Sequence, residues 1–396
     1  MASSERPKNR NVFFVGLLSF FGGISQDVFS PILPIYLTAI LGFDKTFVGV
    51  AEGVVTASAN LFSIVAGFLS DRFKKQKPIV FIGYFLSAVS RPLLALFTSG
   101  AAVIALRTLD GTGKGVKDPP KDVLIAGSAE KNVRGKSFGI ARMLDTLGSV
   151  VGPLILFVLL YLLKGSASLY HLILLFSAVP LVITLAILVL NVREVVPPSQ
   201  SAPLSGAVNT KKKLPVSFYV FLGIVILFTL GNSSDAFLIL RAKSVGVTLL
   251  EIPLVIALFN LIYAALAVPL GTLSDKIGRI PTMCIGWGSY ALVYLGFALA
   301  SGAAVIWPLY ALYGIYYAAN QGVAKALLAD MVGADHRGRA FGIYAATVGI
   351  ATLPASFIAG FLWDSIGAAA PFYFGAAMAL AASLLLILFS KKLRVA

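Results

Sequence analysis

Twelve long apolar stretches run through the chain and constrain its fold more than any other feature. A helix that crosses a hydrocarbon core of about 30 Å needs roughly 20 mainly apolar residues, whereas the strands of membrane barrels are shorter and alternate in hydrophobicity. The stretches are 11–40, 45–70, 78–98, 102–127, 137–163, 169–190, 216–240, 251–273, 281–300, 303–329, 339–363 and 370–390. The sequence therefore predicts an all-α polytopic membrane protein with twelve transmembrane helices.

The overall composition also favours lipid over water. Of the 396 residues, 58% are hydrophobic and 12% are charged, whereas a soluble domain carries about 25% charged residues. The single cysteine, Cys284, excludes a disulfide framework, and two histidines are too few to suggest a soft-metal site. The segment "GTGKG" lacks the Ser/Thr and the earlier glycine of a phosphate-binding loop. We expect no enzyme activity, no metal and no cofactor, with a proton gradient as the energy source.

The formal net charge of +15 reports membrane topology. Basic residues concentrate near both ends of the chain and in alternate connections, while the other connections hold only Lys45, Lys164, Arg241 and Lys243. Cytoplasmic loops carry such an excess of Lys and Arg. The sequence therefore predicts a multi-pass protein of the cytoplasmic (inner or plasma) membrane, with both termini in the cytoplasm. The bilayer is its expected partner, and nucleic acid is not.

A polar linker divides the twelve stretches into six and six. Residues 191–215 are rich in Pro, Ser and Lys, as linkers are. We predict an N-terminal six-helix bundle at 1–190, a cytoplasmic linker at 191–215 and a C-terminal six-helix bundle at 216–396.

The two halves repeat one another. "GFLSDR" from Gly67 returns as "GTLSDK" from Gly271, "RGKSFGI" returns as "RGRAFGI", and "SQD" ending at Asp27 returns as "SSD" ending at Asp235. Three matches in the same order indicate a duplication. Duplicated halves of a transporter place the substrate site near the bilayer midplane and alternate its access by rocking.

Several segments resemble the major facilitator superfamily, and the resemblance extends over essentially the whole chain. "GFLSDRFKKQK" and "GTLSDKIGR" are similar to that family's loop signature, and "RTLDGTG" is similar to a helix motif. "DVFSPILP" and "GSVVGP" resemble motifs of its twelve-helix drug:proton antiporters. The resemblance implies the major facilitator fold of two pseudo-symmetric six-helix bundles. It also implies a secondary active transporter, expected as a monomer, that exports a small organic molecule by alternating access and proton coupling.

Other functions remain open from the residues. Lys114, Arg142 and Lys325 would suit uptake or exchange of an organic anion or organophosphate. Asp27 with Asp145 would suit metal-ion export, which the scarcity of Cys and His disfavours. A non-transporting membrane sensor is a further alternative, although no soluble sensory domain accompanies the spans.

Charged residues inside the spans are the candidates for proton coupling, because a charge that faces lipid costs at least about 2.5 kcal/mol. Asp27 and Asp235 stand at matching places in the two halves, and Arg107 matches by resemblance a position linked to coupling. The full set is Asp27, Arg107, Asp110, Arg142, Asp145 and Asp235. The structural alternatives pair Asp235 with Asn232 or Arg241, and Arg142 with Asp145 three residues on.

Polar and aromatic residues at helical spacing in 303–329 are the candidates for a substrate cavity. Such a stripe would stack and hydrogen-bond an organic molecule, and the alternative is interhelical packing with satisfied hydroxyls. The predicted cavity residues are Lys114, Asn232, Tyr313, Tyr317, Asn320, Gln321 and Lys325.

The repeated loop signature is the candidate for a conformational gate. By resemblance, Asp71 caps or pairs with a neighbouring helix on the cytoplasmic side in the outward-open state, and Asp275 does the same in the second half. The predicted gate residues are Gly67, Asp71, Arg72, Gly271, Asp275 and Arg279.

The segment 107–122 carries many charges, and its second part, 114–122, departs from the family pattern. Arg107–Asp110, Asp110–Lys114 and Lys114–Asp118 are pairs of opposite sign at i,i+3 or i,i+4 spacing. Two consecutive prolines, at 119 and 120, predict a kink or a break whose freed carbonyls Lys117 or Lys121 would satisfy. The charges would form a cation-rich site for an anionic substrate, a latch of the cytoplasmic gate, or a solvated helix end.

Overall fold

A computed structural model of the chain describes residues 5–129, 134–164, 166, 168–195, 214–332 and 337–393. These residues form helices and no strand. The helices are α1 (Glu5–Phe29), α2 (Leu33–Ile35), a π-helical turn (Tyr36–Ile40), α3 (Lys45–Phe73), α4 (Gln76–Leu93), α5 (Gly100–Ser128), α6 (Arg134–Leu162), α7 (Leu169–Phe176), α8 (Ala178–Leu190), α9 (Val216–Gly231), α10 (Ala236–Ser244), α11 (Glu251–Ile277), α12 (Arg279–Leu299), α13 (Ala303–Met331), α14 (Arg337–Ser365), α15 (Ala370–Leu388) and α16 (Ser390–Leu393).

All twelve predicted spans are helical, and three of them are interrupted. The first divides into α1, α2 and the π-helical turn, the sixth into α7 and α8, and the seventh into α9 and α10. In the part of the chain that is described, nine spans are long and apolar enough to cross a membrane. The predicted spans 78–98, 102–127 and 303–329 fall short of that apolarity, and they correspond to α4, α5 and α13, whose sequences contain more polar or charged residues.

The first compact unit contains residues 1–36 and 54–206. Here α1 packs on α6 and α8, and α4 packs on α5 and α8. Helices α4 and α5 approach each other closely at Gly83 and Gly113, where a Cβ on either glycine would meet the backbone of the other helix. The buried apolar core of this unit includes Val15, Leu18 and Leu124. This packing places the faces of α1, α4, α5 and α6 around one interior.

The second compact unit contains residues 37–53 and 207–396. Its main packing pairs are α12 with α13 and α15, α11 with α13, and α9 with α14 and α15. The start of α3 belongs to this unit, and the Thr46 N–H donates a 2.7 Å hydrogen bond to Asp364 Oδ2 near the end of α14. Most of the predicted linker 191–215 lies outside the described residues, so the domain boundaries stay predictions.

Candidate functional site

A buried charge cluster in the first unit is centred on Asp110 of α5. Its carboxylate accepts hydrogen bonds from Arg91 Nε at 3.0 Å and Arg107 NH1 at 3.3 Å, and Lys114 Nζ lies 3.4 Å away. The side chains of Arg91 and Asp110 are only 3% and 1% exposed. Arg107, Asp110 and Lys114 share one ridge of α5, as their spacing predicts. One carboxylate thus balances three cations.

Arg91 of α4 is a residue that sequence reasoning missed. Beyond Asp110, its guanidinium donates to Ser25 Oγ at 2.7 Å and to Gln26 Oε1 at 2.8 Å. The signal that could have found it is an arginine inside the predicted span 78–98, where a charge must face the protein interior. Arg91 therefore ties α4 to both α1 and α5.

The Phe29 ring lies close to both guanidinium groups of this cluster. Arg91 Cζ is 5.2 Å from the ring centroid, and Arg107 Cζ is 5.4 Å from it. Cations near an aromatic face at this range are stabilised by its negative potential. The ring therefore helps to hold two like charges on one carboxylate.

A cavity of about 280 Å³ opens beside this cluster, entirely within the first unit. Its wall carries four cationic side chains, Arg91, Lys114, Lys117 and Lys121, and three carboxylates, Asp27, Asp118 and Asp145. Ser149 of α6 hydrogen-bonds the Asp27 carboxylate. The structure thus brings together Asp27, Lys114 and Asp145 from the predicted sets, with Arg107 and Asp110 directly behind the wall.

The second half of α5 carries a smaller cluster on Asp118. Lys121 Nζ lies 3.2 Å from Asp118 Oδ1, and Lys117 Nζ lies 3.8 Å from the same oxygen. Lys117 also sits 5.0 Å from the centre of the Tyr84 ring. Of the kink or break predicted at the two prolines, the break is wrong, since α5 is continuous from Gly100 to Ser128. Lys121 binds the Asp118 carboxylate three residues earlier on the same helix.

Arg142 and Asp145 form an ion pair of 3.0 Å on α6. The arginine side chain is 62% exposed, and it is not part of the cavity wall, whereas Asp145 is. The pairing considered from the sequence is therefore present. Arg142 takes no place in the Arg91–Asp110 cluster.

Asp235 in the second unit has different partners. Tyr313 donates to its Oδ1 at 2.7 Å, and Tyr317 donates to its Oδ2 at 3.0 Å. Neither pairing considered from the sequence is present. Asn232 donates to the Tyr316 hydroxyl at 3.0 Å, and Arg241 donates to backbone carbonyls, including that of Phe297 at 2.9 Å. Two tyrosine hydroxyls from one face of α13 hold this carboxylate.

The remaining predicted cavity residues of α13 separate from this pair of tyrosines. Asn320 accepts a 3.0 Å hydrogen bond from Trp287 Nε1, which is interhelical packing. Gln321 and Lys325 are exposed, and neither lines the cavity of the first unit. The stripe predicted for 303–329 thus has two parts, since only Tyr313 and Tyr317 reach Asp235.

The predicted gate residues differ between the halves. Arg279 donates to Asp275 Oδ1 at 2.5 Å, to Asp330 Oδ2 at 3.2 Å and to Ser274 Oγ at 2.7 Å. Arg72 is exposed and lies 6.0 Å from the Phe73 ring. The side chain of Asp71 lies outside the described residues.

The two signature glycines share one property. No atom lies within 4 Å of a Cβ built on Gly67 or on Gly271. The described structure therefore shows no local packing that requires glycine at either position.

Comparison with known proteins identifies the family. The model of the Major Facilitator Superfamily matches residues 15–241 and again residues 219–395. The chain belongs to the Major Facilitator Superfamily. Like its family, it is a transporter and a multi-pass membrane protein that acts on small molecules.

Two curated relatives show how the similarity is distributed along the chain. An uncharacterized MFS-type transporter, MJ1317 of Methanocaldococcus jannaschii, is 35% identical over 390 residues, which cover 97% of this chain and 96% of the relative. Multidrug resistance protein MdtH of Aeromonas hydrophila is 28% identical over 151 residues, or 38% of each chain. The relative that matches over the full length, MJ1317, is named only as a transporter, and its name gives no substrate.

Solved superfamily structures confirm the fold. A point mutant of the nucleoside transporter NupG superposes with a TM-score of 0.80 at 14% identity, covering 95% of this chain and 99% of NupG. A POT family transporter in complex with 5-aminolevulinic acid gives a TM-score of 0.80 at 15% identity, covering 97% of this chain and 96% of that transporter. The prediction of an all-α major facilitator fold is confirmed.

Proposed function

We propose that the protein is a proton-coupled exporter that moves a small organic solute across the cytoplasmic membrane by alternating access. Both termini would then lie in the cytoplasm, as the distribution of basic residues predicts. The partial similarity to a multidrug resistance protein supports efflux. The observation that carries the proposal is Asp27, a carboxylate in the wall of an internal cavity that is held by a serine hydroxyl.

Asp27 is suited to take up and lose a proton because the hydrogen bond described for its carboxylate comes from a neutral hydroxyl rather than from a cation. Its described hydrogen-bond partner, Ser149, binds a carboxyl group in either protonation state. Asp110 differs, because protonating it would remove the carboxylate charge that the buried Arg91 and Arg107 share with the half-buried Lys114. We therefore assign proton transfer to Asp27, and we assign Asp110 and Arg107 to a fixed structural cluster.

Asp235 is the corresponding candidate in the second half. Tyrosine hydroxyls donate to both of its oxygens, and among the described residues it forms no ion pair. Its side chain remains exposed and can exchange protons with water. The proposal therefore gives each half one carboxylate whose charge can change.

Efflux from proteoliposomes tests this function. Vesicles containing the purified full chain would be loaded with ethidium or, separately, with an anionic fluorescein, and a pH gradient would then be imposed. We expect gradient-driven movement of at least one dye, its loss in Asp27→Asn, and its retention in Asp122→Asn, which alters an exposed carboxylate of α5 outside the cavity wall. Transport by Asp27→Asn at the wild-type rate would refute the coupling role of Asp27.

A further inference from the structure

The cavity of the first unit holds an excess of positive charge. Three cations share Asp110, and two share Asp118. The Arg142–Asp145 pair is neutral by itself, which leaves Asp27 facing the surplus. Buried charge is costly unless it is balanced, and the cost is high within the membrane. An occupant of negative charge would supply the missing balance.

The lysines of the wall are better placed to bind an occupant than the arginine. Arg91 already directs its donors to Asp110, Ser25 and Gln26. Lys117 Nζ, in contrast, lies 3.8 Å from Asp118, which is longer than a hydrogen bond. An ammonium group offers three donors, and Lys121 uses one described hydrogen bond, to Asp118. Lys117 and Lys121 therefore retain donor capacity next to the cavity.

The size of the cavity limits what this charge can hold. Ligand pockets range from about 300 to 1,000 Å³, and the volume of about 280 Å³ lies just below that range. Ser19, Ser87 and Gln26 add hydrogen-bonding groups to the wall, and Tyr84 adds an aromatic face. These dimensions suit a carboxylate or phosphate group on a small organic body.

We infer that this cavity is a binding site for the anionic group of the transported solute, a small organic acid or phosphate ester, held by Lys117 and Lys121 with Lys114 beside them. The inference rests on the transport function proposed above and names its solute class. It differs from the anion site that the sequence suggested, because Arg142 and Lys325 lie outside the cavity wall. The site belongs to the first unit alone.

Equilibrium binding to the purified full chain tests the site without any gradient. The probes are inorganic phosphate, glycerol 3-phosphate and benzoate, with tetraphenylphosphonium as a cation of opposite sign, each titrated calorimetrically into nanodiscs of phosphatidylcholine. We expect at least one anion to bind and its affinity to fall about tenfold or more in Lys117→Gln and Lys121→Gln, since a charge-assisted hydrogen bond is worth roughly 1.5–3 kcal/mol. Binding of the cation alone, or of no anion at millimolar concentration, would overturn the inference.

Matched variants separate loss of the site from loss of the fold. Lys117→Arg keeps the charge and should retain more affinity than Lys117→Gln. The thermal unfolding midpoint of each variant reports any general effect on folding. Lys164→Gln removes an exposed cation of the first unit, and Lys325→Gln removes the exposed cation favoured by the sequence. Both should bind like the wild type. A tenfold loss in either control would sink the assignment to this cavity.

Two further comparisons separate a soluble anion from a lipid headgroup, and separate failure of this binding site from failure of the proposed transport function. Adding phosphatidylglycerol to the nanodiscs should leave soluble-anion binding unchanged, and competition would assign the cavity to a lipid headgroup instead. Binding that persists while Asp27→Asn transports normally would count against the proton role alone. Asp27-dependent transport without anion binding would count against this site alone.

Discussion

Asp27 and Asp235 occupy matching places in a duplicated sequence, yet their surroundings differ in kind. Asp27 faces a cavity whose wall carries four cations. Asp235 is held by the hydroxyls of Tyr313 and Tyr317 in an aromatic cluster that includes Phe259, whose ring centroid lies 5.0 Å from that of Tyr317. Duplication therefore preserved the carboxylates and replaced their partners. The half that contains Asp27 can balance the charge of an anionic ligand, whereas the half that contains Asp235 offers neutral hydrogen-bond donors and aromatic ring faces.

A third carboxylate, Asp110, gives the largest expected effect. Asp110→Asn keeps the shape but leaves Arg91, Arg107 and Lys114 without their counter-charge, and breaking a buried ion pair costs about 3–5 kcal/mol. We expect that loss in the free energy of unfolding, measured by titration with SDS in mixed micelles. Asp145→Asn is the control, because its exposed pair with Arg142 is worth about 0–1 kcal/mol. If the Asp110→Asn protein were as stable as the wild type but lost proton-coupled transport, Asp110 would have the proton-coupling role that the sequence suggested.

How much of this the sequence could predict depends on whether the partners lie on one helix. The Arg107–Asp110–Lys114 ridge follows from spacing, because i,i+3 and i,i+4 neighbours share a face in any helix. Arg91 lies on α4, and only the packing of α4 against α5 brings it to Asp110. The sequence could place an arginine in a span, but it could not name its partner.

The same limit applies in the second half. Tyr313 and Tyr317 share a face of α13 by spacing, which the stripe predicted. Their target, Asp235, is 78 and 82 residues earlier in the chain. Lys325 lies on the same helix but is exposed, which helical spacing alone could not show. Nine of the twelve predicted spans needed no such partners, since in the described chain their length and apolarity suffice.

The tyrosine partners of Asp235 provide the next test of how the surroundings of Asp235 differ from those of Asp27. Tyr313→Phe removes one of two hydroxyl donors to a carboxylate, and a hydrogen bond to a charged group is worth about 1.5–3 kcal/mol. We expect a loss of that size in the free energy of unfolding, measured in the same micelles. Tyr310→Phe, one turn earlier, is the control. Among the described residues the Tyr310 hydroxyl is buried without a hydrogen-bond partner, so its removal should be neutral or stabilising. Equal losses in the two variants would mean that ring packing, rather than the bond to Asp235, sets the effect.

The smallest expected effect is the most informative about coupling. Asp27→Asn removes one negative charge from a wall that also carries Arg91, Lys114 and Asp145. At an effective dielectric constant near 40, between those of protein and water, losing that repulsion across about 8 Å should tighten anion binding by about 1 kcal/mol, or roughly fivefold. Calorimetry with the anion that binds the wild type measures this change.

That result would decide which carboxylate drives export. Linkage is reciprocal, so if neutralising Asp27 favours the anion, the anion favours the proton on Asp27, and the two would move together. Asp27 would then carry its proton together with the anion, and the proton exchanged against an outgoing anion would be the one on Asp235, the second carboxylate of the proposal. Unchanged binding by Asp27→Asn would instead separate Asp27 from the anion site. Weakened binding would mean that the charged carboxylate favours the solute, so that proton and solute compete at Asp27.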